Sequence, residues 1–330
     1  MTKKMNSLLK LIKKKQAQMP VFGWLFAVIV GMAILFFAIF FVGKLLTGES
    51  YQQAAELVYS FDILLNPFAS IGGIGEVTLS KTISLPSEIA LKMSCDDAGL
   101  GKQGISLKTK GAFGKWSEFT PEKSIYDKYI FSLSQSEGKR FYVWGKSFEL
   151  PFRVEDLIFI IPEKEKYCFI DAEESIPSEI KNELKALDIP NVKFGDEEGC
   201  TSISFRDDNA DIYVDCEDNC KYGAVNKGNA TLPFASSLIY GAIFSSPSTY
   251  KCNFNRLMKR LSLLCEIYDE KAKNLRGCAG VSDVKTSLDD FKRSIDSISM
   301  TGNKTIDIRK LYDDAEDLAD DNTYASCQVF

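Results

Sequence analysis

The alternation of apolar and polar positions divides the 330-residue chain into three regimes. From Gln16 to Gly43 no charged residue occurs, and Val21–Val42 is a nearly unbroken apolar run of 22 residues. As a helix at ~1.5 Å per residue the run would be about 33 Å long, which matches the ~30 Å hydrocarbon layer of a bilayer. So long a charge-free stretch argues against a buried helix of a soluble domain. A transmembrane helix is therefore predicted over residues 20–43. Beyond it the pattern becomes one-sided: Ala54, Ala55, Leu57, Val58, Phe61 and Leu65 line one face of a continuing helix. Asn66-Pro67 should end it, and Ile71-Gly72-Gly73-Ile74-Gly75 reads as a hinge. Residues 44–75 are thus expected to form a helical stalk and its hinge.

The second regime, residues 76–249, has the period of strands. Val77, Leu79 and Ile83 fall at even spacing, Ile89, Leu91 and Met93 alternate, and Ile105, Leu107 and Thr109 repeat the pattern. Short strand patterns follow at 140–144, 148–154, 157–161 and 167–170. Pro177–Leu187 reads as a short helix, and Thr201–Phe205 with Asp211–Asp215 as a hairpin around Arg206–Ala210. From residue 250 to 330 the period becomes helical. Apolar residues step by three and four over 254–268, 281–298 and 308–318, joined by short Gly-containing links. That predicts an up-down-up three-helix bundle. Strands followed by helices give an α+β fold, with an N-terminal membrane helix and stalk, a β-rich domain and a C-terminal bundle.

Charge sets the orientation. Lys3, Lys4, Lys10, Lys13, Lys14 and Lys15 precede the apolar run, whereas only Lys44 follows closely. Lysines stay on the cytoplasmic side, so residues 1–19 form a cytoplasmic tip and residues from about 44 onward lie outside. A removable secretory signal is the rival reading, but its apolar region is only ~7–15 residues long. Residues 1–49 hold seven lysines and one glutamate, and the rest of the chain 33 basic and 44 acidic residues. An acidic body is unsuited to phosphate backbones, which excludes nucleic acid as the main partner. The lipid bilayer is the expected partner. Within the membrane run Gly23, Ala27 and Gly31 share one face, which would let a second helix approach closely. Self-association or an envelope protein would use that face.

The run Lys13-Lys14-Lys15-Gln16-Ala17-Gln18 before the apolar helix resembles the class III signal of archaeal type IV pilins. In that family a peptidase cuts between a small residue and Gln, which here implies cleavage between Ala17 and Gln18. Position five after the cut is Phe22, where many pilins carry Glu. The segments Leu238–Ser245 and Arg256–Arg260 resemble uncharacterised membrane-anchored proteins of small-genome archaea. The resemblance implies a surface location and supplies no activity.

The chain has no histidine, which excludes Ser-His-Asp and Cys-His nucleophile pairs, HExxH metal sites and Cys/His fingers. Nine cysteines in an exported region imply disulfides with one thiol left over. Cys265, on an apolar helix face, is the candidate free thiol. An up-down-up path would bring Cys278 and Cys327 to one end, and Cys200 with Cys216 would flank the expected hairpin. A zinc site built on Cys216 and Cys220 has loose spacing. Gly99–Gly104 matches a dinucleotide fingerprint, but a strand pattern follows it where a helix is required, so it reads as a turn. Asp207, Asn209, Asp211 and Asp218 mimic a calcium loop in which Ile212 replaces the needed glycine. Asn229 and Asn303 head glycosylation sequons. No catalytic residue, metal site or cofactor stands out. The expectation is a single-pass surface protein of structural, adhesive or pilin-like role. The alternative is an anchored envelope hydrolase using paired carboxylates.

Overall fold

The structure, a computed structural model, describes residues 19–68, 79–111, 114–275, 277–298 and 308–330. Its first element is one continuous helix, α1 (Met19–Leu65), 47 residues or about 70 Å long. Pro67 disfavours helical backbone at Asn66, and the chain tightens into a 3-10 turn there. Phe22–Val42 is long and apolar enough to cross a membrane, and none of it is buried. Further along, Ala54, Val58, Phe61 and Leu65 are buried, as is Phe68 beyond the helix. The expected stalk is therefore no free-standing spacer, because its last turns belong to a core. The expected Gly72–Gly75 hinge lies outside the described residues.

That core is the inner face of a six-stranded sheet. Its strands are β1 (Leu79–Asp96), β2 (Lys102–Thr109), β3 (Lys123–Ile125), β4 (Tyr129–Phe131), β5 (Gln135–Glu149) and β6 (Arg153–Pro162). They lie in the order β3-β2-β1-β5-β6-β4, antiparallel except where β4 runs beside β6. Every strand sends at least one apolar residue toward α1, among them Leu91, Ile105, Ile125, Ile130, Phe141 and Ile160. The sheet therefore curls around the helix. β1 bends to do so at a register break between Ser84 and Ile89 that contains Pro86. A proline is tolerated in a strand at such a break because it has no N–H to donate to the ladder. The buried side chain of Gln103 on β2 completes the curl. It donates to Ile130 O at 2.8 Å and accepts from Ile130 N at 2.7 Å, joining β2 to the edge strand β4.

Alternate residues on the same strands face the other way. On β5, Phe141 and Val143 face α1 while Tyr142 and Trp144 enter a second, larger core. Burial on both faces explains the unbroken apolar run Leu157–Ile161 on β6. The second core also contains a second six-stranded sheet: β7 (Tyr167–Phe169), β8 (Val192–Phe194), β9 (Thr201–Ser204), β10 (Ile212–Glu217), β11 (Tyr222–Lys227) and β12 (Ala230–Ala235), in the order β12-β11-β10-β9-β7-β8. α2 (Ser178–Ala186) connects β7 to the parallel β8. β9 and β10 pair parallel, which corrects the expected hairpin. Hydrogen bonds to side chains hold their short connection. Asp171 accepts from Ser204 Oγ and Phe205 N, and Asp211 accepts from Ser202 N and Oγ.

The chain ends in α3 (Leu238–Phe244), α4 (Pro247–Asn274), α5 (Val281–Ser297) and α6 (Ile308–Tyr324). α3 is buried at every position, and Gly241 lets it lie against Phe131, where a Cβ would fall 2.5 Å from the ring. The last three helices run up-down-up. Ser262 and Glu266 on α4 bond Asp296 and Lys292 on α5, and Ser287 and Ser294 on α5 bond Asp321 and Asp314 on α6. They do not form a separate bundle, because Phe254, Leu288 and Leu318 share one core with Trp144 and Phe234 of the two sheets. The architecture is α+β, as its alternating and helical periods predicted.

Gln103→Leu should open the curl. It leaves Ile130 N buried without its partner and should cost about 1–3 kcal/mol in chemical denaturation. An unchanged midpoint would mean that β4 is held by its other contacts.

Candidate functional site

The membrane-grade part of α1 presents Gly23, Ala27 and Gly31 on an exposed face, with nothing within 4 Å of a Cβ added at Gly23 or Gly31. Below it, Asp62 joins the helix to the sheet. Its carboxylate accepts from Lys123 at 2.7 Å and Lys128 at 2.8 Å, and Lys123 also lies 4.5 Å from the Tyr59 ring. Burial alone would raise the Asp62 carboxyl, but the hydrogen bonds and charges of the two lysines outweigh it and hold it below the ordinary value. Lys128 is only 3% exposed, and Asp62 at 2.8 Å is its nearer carboxylate, with Asp127 at 3.8 Å.

The cysteines form four close pairs. Cys278 and Cys327 meet, 5.7 Å apart at Cα, where the three-helix path returns. Cys200 and Cys216 do not meet, because parallel strands carry them to opposite ends of β9 and β10. Cys200 instead pairs with Cys168 on neighbouring β7, and Cys216 with Cys220. Cys95–Cys252 ties β1 to α4, a pairing with no sequence signal. Cys265 is free and buried, and that burial pushes its thiol up to about 12. With Cys216 and Cys220 paired to each other, the zinc option lapses.

The calcium-like residues do not converge. Asp207 turns to Asn209, Asp211 to Ser202 and Asp218 to Lys221. Among the described residues no group of three candidate ligands is placed to hold a metal. Gly99–Gly101 is the turn between β1 and β2, and Gly101 makes room for Arg256. Asn229 sits exposed at the tip of the β11–β12 hairpin, whereas Ala17, Gln18 and Asn303 lie outside the described residues.

Two groups that composition could not single out are buried charges. Arg256 is fully buried and donates to Leu100 O, Lys128 O, Tyr126 O and Asn253 Oδ1, with its guanidinium 4.5 Å from the Tyr129 ring centroid. It pins two turns to α4. Lys227 is lowered by burial to about 8, yet it donates only to Ile243 O and Ser245 O at the end of α3. That geometry closes a helix terminus.

Two concavities among the described residues bear on function. A groove of about 620 Å³ has α4 as its floor, with Asp97 and Leu100 of the β1–β2 turn on one wall and Ile295, Asp296 and Ile298 on the other. Asp97 accepts from Asn255 at 2.7 Å and Asp296 from Ser262 at 2.8 Å. A smaller pocket of about 270 Å³ lies among α2, α3, α6 and the β10–β11 connection. Lys146 and Tyr240 line it, and both donate at 2.5 Å to Glu183 Oε2. The other oxygen of Glu183 is buried without a partner. Burial, then the neighbouring Glu183 charge, raises the Tyr240 phenol, so it stays protonated as a donor. Asp218, Asn219, Cys220 and Ser236 around this pocket hold φ between 48° and 64°. Left-handed backbone costs non-glycine residues about 1–3 kcal/mol each and collects at binding sites.

Comparison with protein-family models, with curated proteins and with solved structures finds no match to this chain. The site is therefore read from its own geometry.

Asp62→Asn should weaken the packing of α1 on the first sheet. Because the carboxyl is held below its unfolded value of ~3.9, its contribution is fully present above that value and fades as pH falls through the folded one. The variant should lose about 1–3 kcal/mol at neutral pH, with the deficit shrinking below about pH 4. A deficit unchanged down to pH 2 would reject the ion-pair account.

Proposed function

We propose that the chain is a single-pass protein of the cell surface, with its lysine-rich end in the cytoplasm and its disulfide-stapled head outside in a structural or adhesive role. The observation that carries the reading is α1 itself. One uninterrupted helix leaves Phe22–Val42 wholly uncovered and buries Val58, Phe61 and Leu65 in the head. An uncovered apolar rod of that length needs a lipid solvent. Four close cysteine pairs suit an oxidising exterior, and the lysines before the helix favour a cytoplasmic N-terminus. The exposed Gly23/Ala27/Gly31 face suits packing against a second membrane helix. The exposed Asn229 suits a glycan. In the pilin-like form of the reading, cleavage between Ala17 and Gln18 leaves α1 as the start of the mature chain.

A second reading, an anchored hydrolase, is favoured by the groove over α4, whose two walls each carry a carboxylate, Asp97 and Asp296. Paired carboxylates on either side of a bound glycan are the apparatus of general acid and base hydrolysis.

Protease added to intact cells should digest the head and spare the lysine tip, and intact mass of the membrane fraction should report four disulfides and a start at Gln18. Digestion only after lysis would reverse the orientation, and an intact Met1 would make α1 an uncleaved anchor. For the second reading, Asp97→Asn or Asp296→Asn should each lower release of reducing sugar from cell-wall glycans by about 100-fold or more. Absence of release by the wild-type protein ends that reading.

A further inference from the structure

We propose that the pocket lined by Lys146, Asn219, Ser236, Tyr240 and Tyr312 binds one uncharged, hexose-sized sugar ring. Its size sets the upper bound. At about 270 Å³ it falls below the ~300–1,000 Å³ of sites for drug-sized ligands, so a nucleotide or an oligosaccharide would not be enclosed. Its charges exclude small ions. Lys146 is matched by Glu183, and Lys221 by Asp218 at 3.0 Å and Glu316 at 3.6 Å. A phosphate would have to break these pairs and face the exposed Glu179 carboxylate, and that single unpaired carboxylate makes no cluster for a cation among the described residues.

Apart from the exposed Glu179 carboxylate, which lines the pocket without an ion pair among the described residues, what remains for a ligand is neutral. The Asn219 amide and the Ser236 hydroxyl make no hydrogen bond to the described residues. Ile180, Ile239 and the Tyr312 ring supply apolar wall beside them. Hydroxyls against an apolar ring face are the surface of a sugar, and unpaired amide and hydroxyl groups are its usual partners. The backbone supports the assignment independently. Asn219 (φ 54°) and Ser236 (φ 51°), the neutral lining residues with free polar groups, are both held in the left-handed region. The Cys216–Cys220 pair closes the loop that carries Asn219. Strain at the two residues that offer hydrogen bonds is what a preorganised site requires.

Such a pocket would serve an adhesive head, but its geometry owes nothing to the membrane anchor, so the two can fail separately. The full chain in lipid nanodiscs should be probed by saturation-transfer NMR with methyl glycosides of glucose, galactose and mannose and with N-acetylglucosamine. At least one should receive transfer. Asn219→Gly and Ser236→Gly remove the free groups yet keep a residue that accepts positive φ. Each should weaken binding about three- to tenfold, with thermal unfolding no lower than wild type. No transfer from any probe, transfer unchanged in both variants, or displacement of the sugar by inorganic phosphate would overturn the proposal. Protease protection on intact cells reads the membrane orientation and is unaffected by any of these outcomes.

Discussion

Burial of the second half of α1 inside a curled sheet is the constraint on which the molecule depends. Val58, Phe61, Leu65 and Phe68 fill a concave face to which all six strands of the first sheet contribute. Each such side chain is worth about 1.5–3 kcal/mol when removed from water. Without them the inner face would be an exposed apolar trough. The same helix carries in its first half the segment Phe22–Val42, long and apolar enough to cross a membrane, so that segment is continuous with the core of the head.

Several details follow from that wrap. Pro86 sits where β1 must bend, Gln103 joins β2 to a strand on the opposite edge, and Asp62 faces two lysines across the helix–sheet contact. The outer face of the same sheet then becomes the inner face of the second core. Trp144 and Phe159 stack there with ring centroids 5.0 Å apart, and Phe244 of α3 meets Trp144 edge-on. One sheet therefore serves two cores, and the C-terminal helices join the second. Disulfides reinforce the joins between layers. Cys95–Cys252 crosses from sheet to helix over 157 residues, where the chain-entropy gain of a crosslink is largest.

The two concavities sit on different joints of this frame. The larger groove forms where Arg256 draws two turns onto α4. The smaller pocket forms where the second sheet meets α2 and α6, and its backbone is strained where its free polar groups lie. Strain there is sustained because the surrounding sheet and the Cys216–Cys220 pair over-determine the loop.

The sequence by itself determined whatever depends on local period and composition. The charge-free run predicted a helix long and apolar enough to cross a membrane, the stripe through Val58, Phe61 and Leu65 predicted its continuation, and Asn66-Pro67 marked the helix end within a residue. Three helical stripes predicted the antiparallel path and with it the meeting of Cys278 and Cys327. Partners distant in sequence were invisible, because many arrangements satisfy the same period. Strands at 201–205 and 211–215 fit a hairpin as well as a parallel pair, and only the insertion of β9 between β7 and β10 decided it. That choice sent Cys200 to Cys168 instead of Cys216. Nothing in the local pattern marks Arg256 for burial, yet the approach of two turns buried it among carbonyls. Both concavities are likewise products of packing: no spacing along the chain places Asp97 across from Asp296, or Asn219 beside Ser236, because those neighbours exist only once the layers have closed.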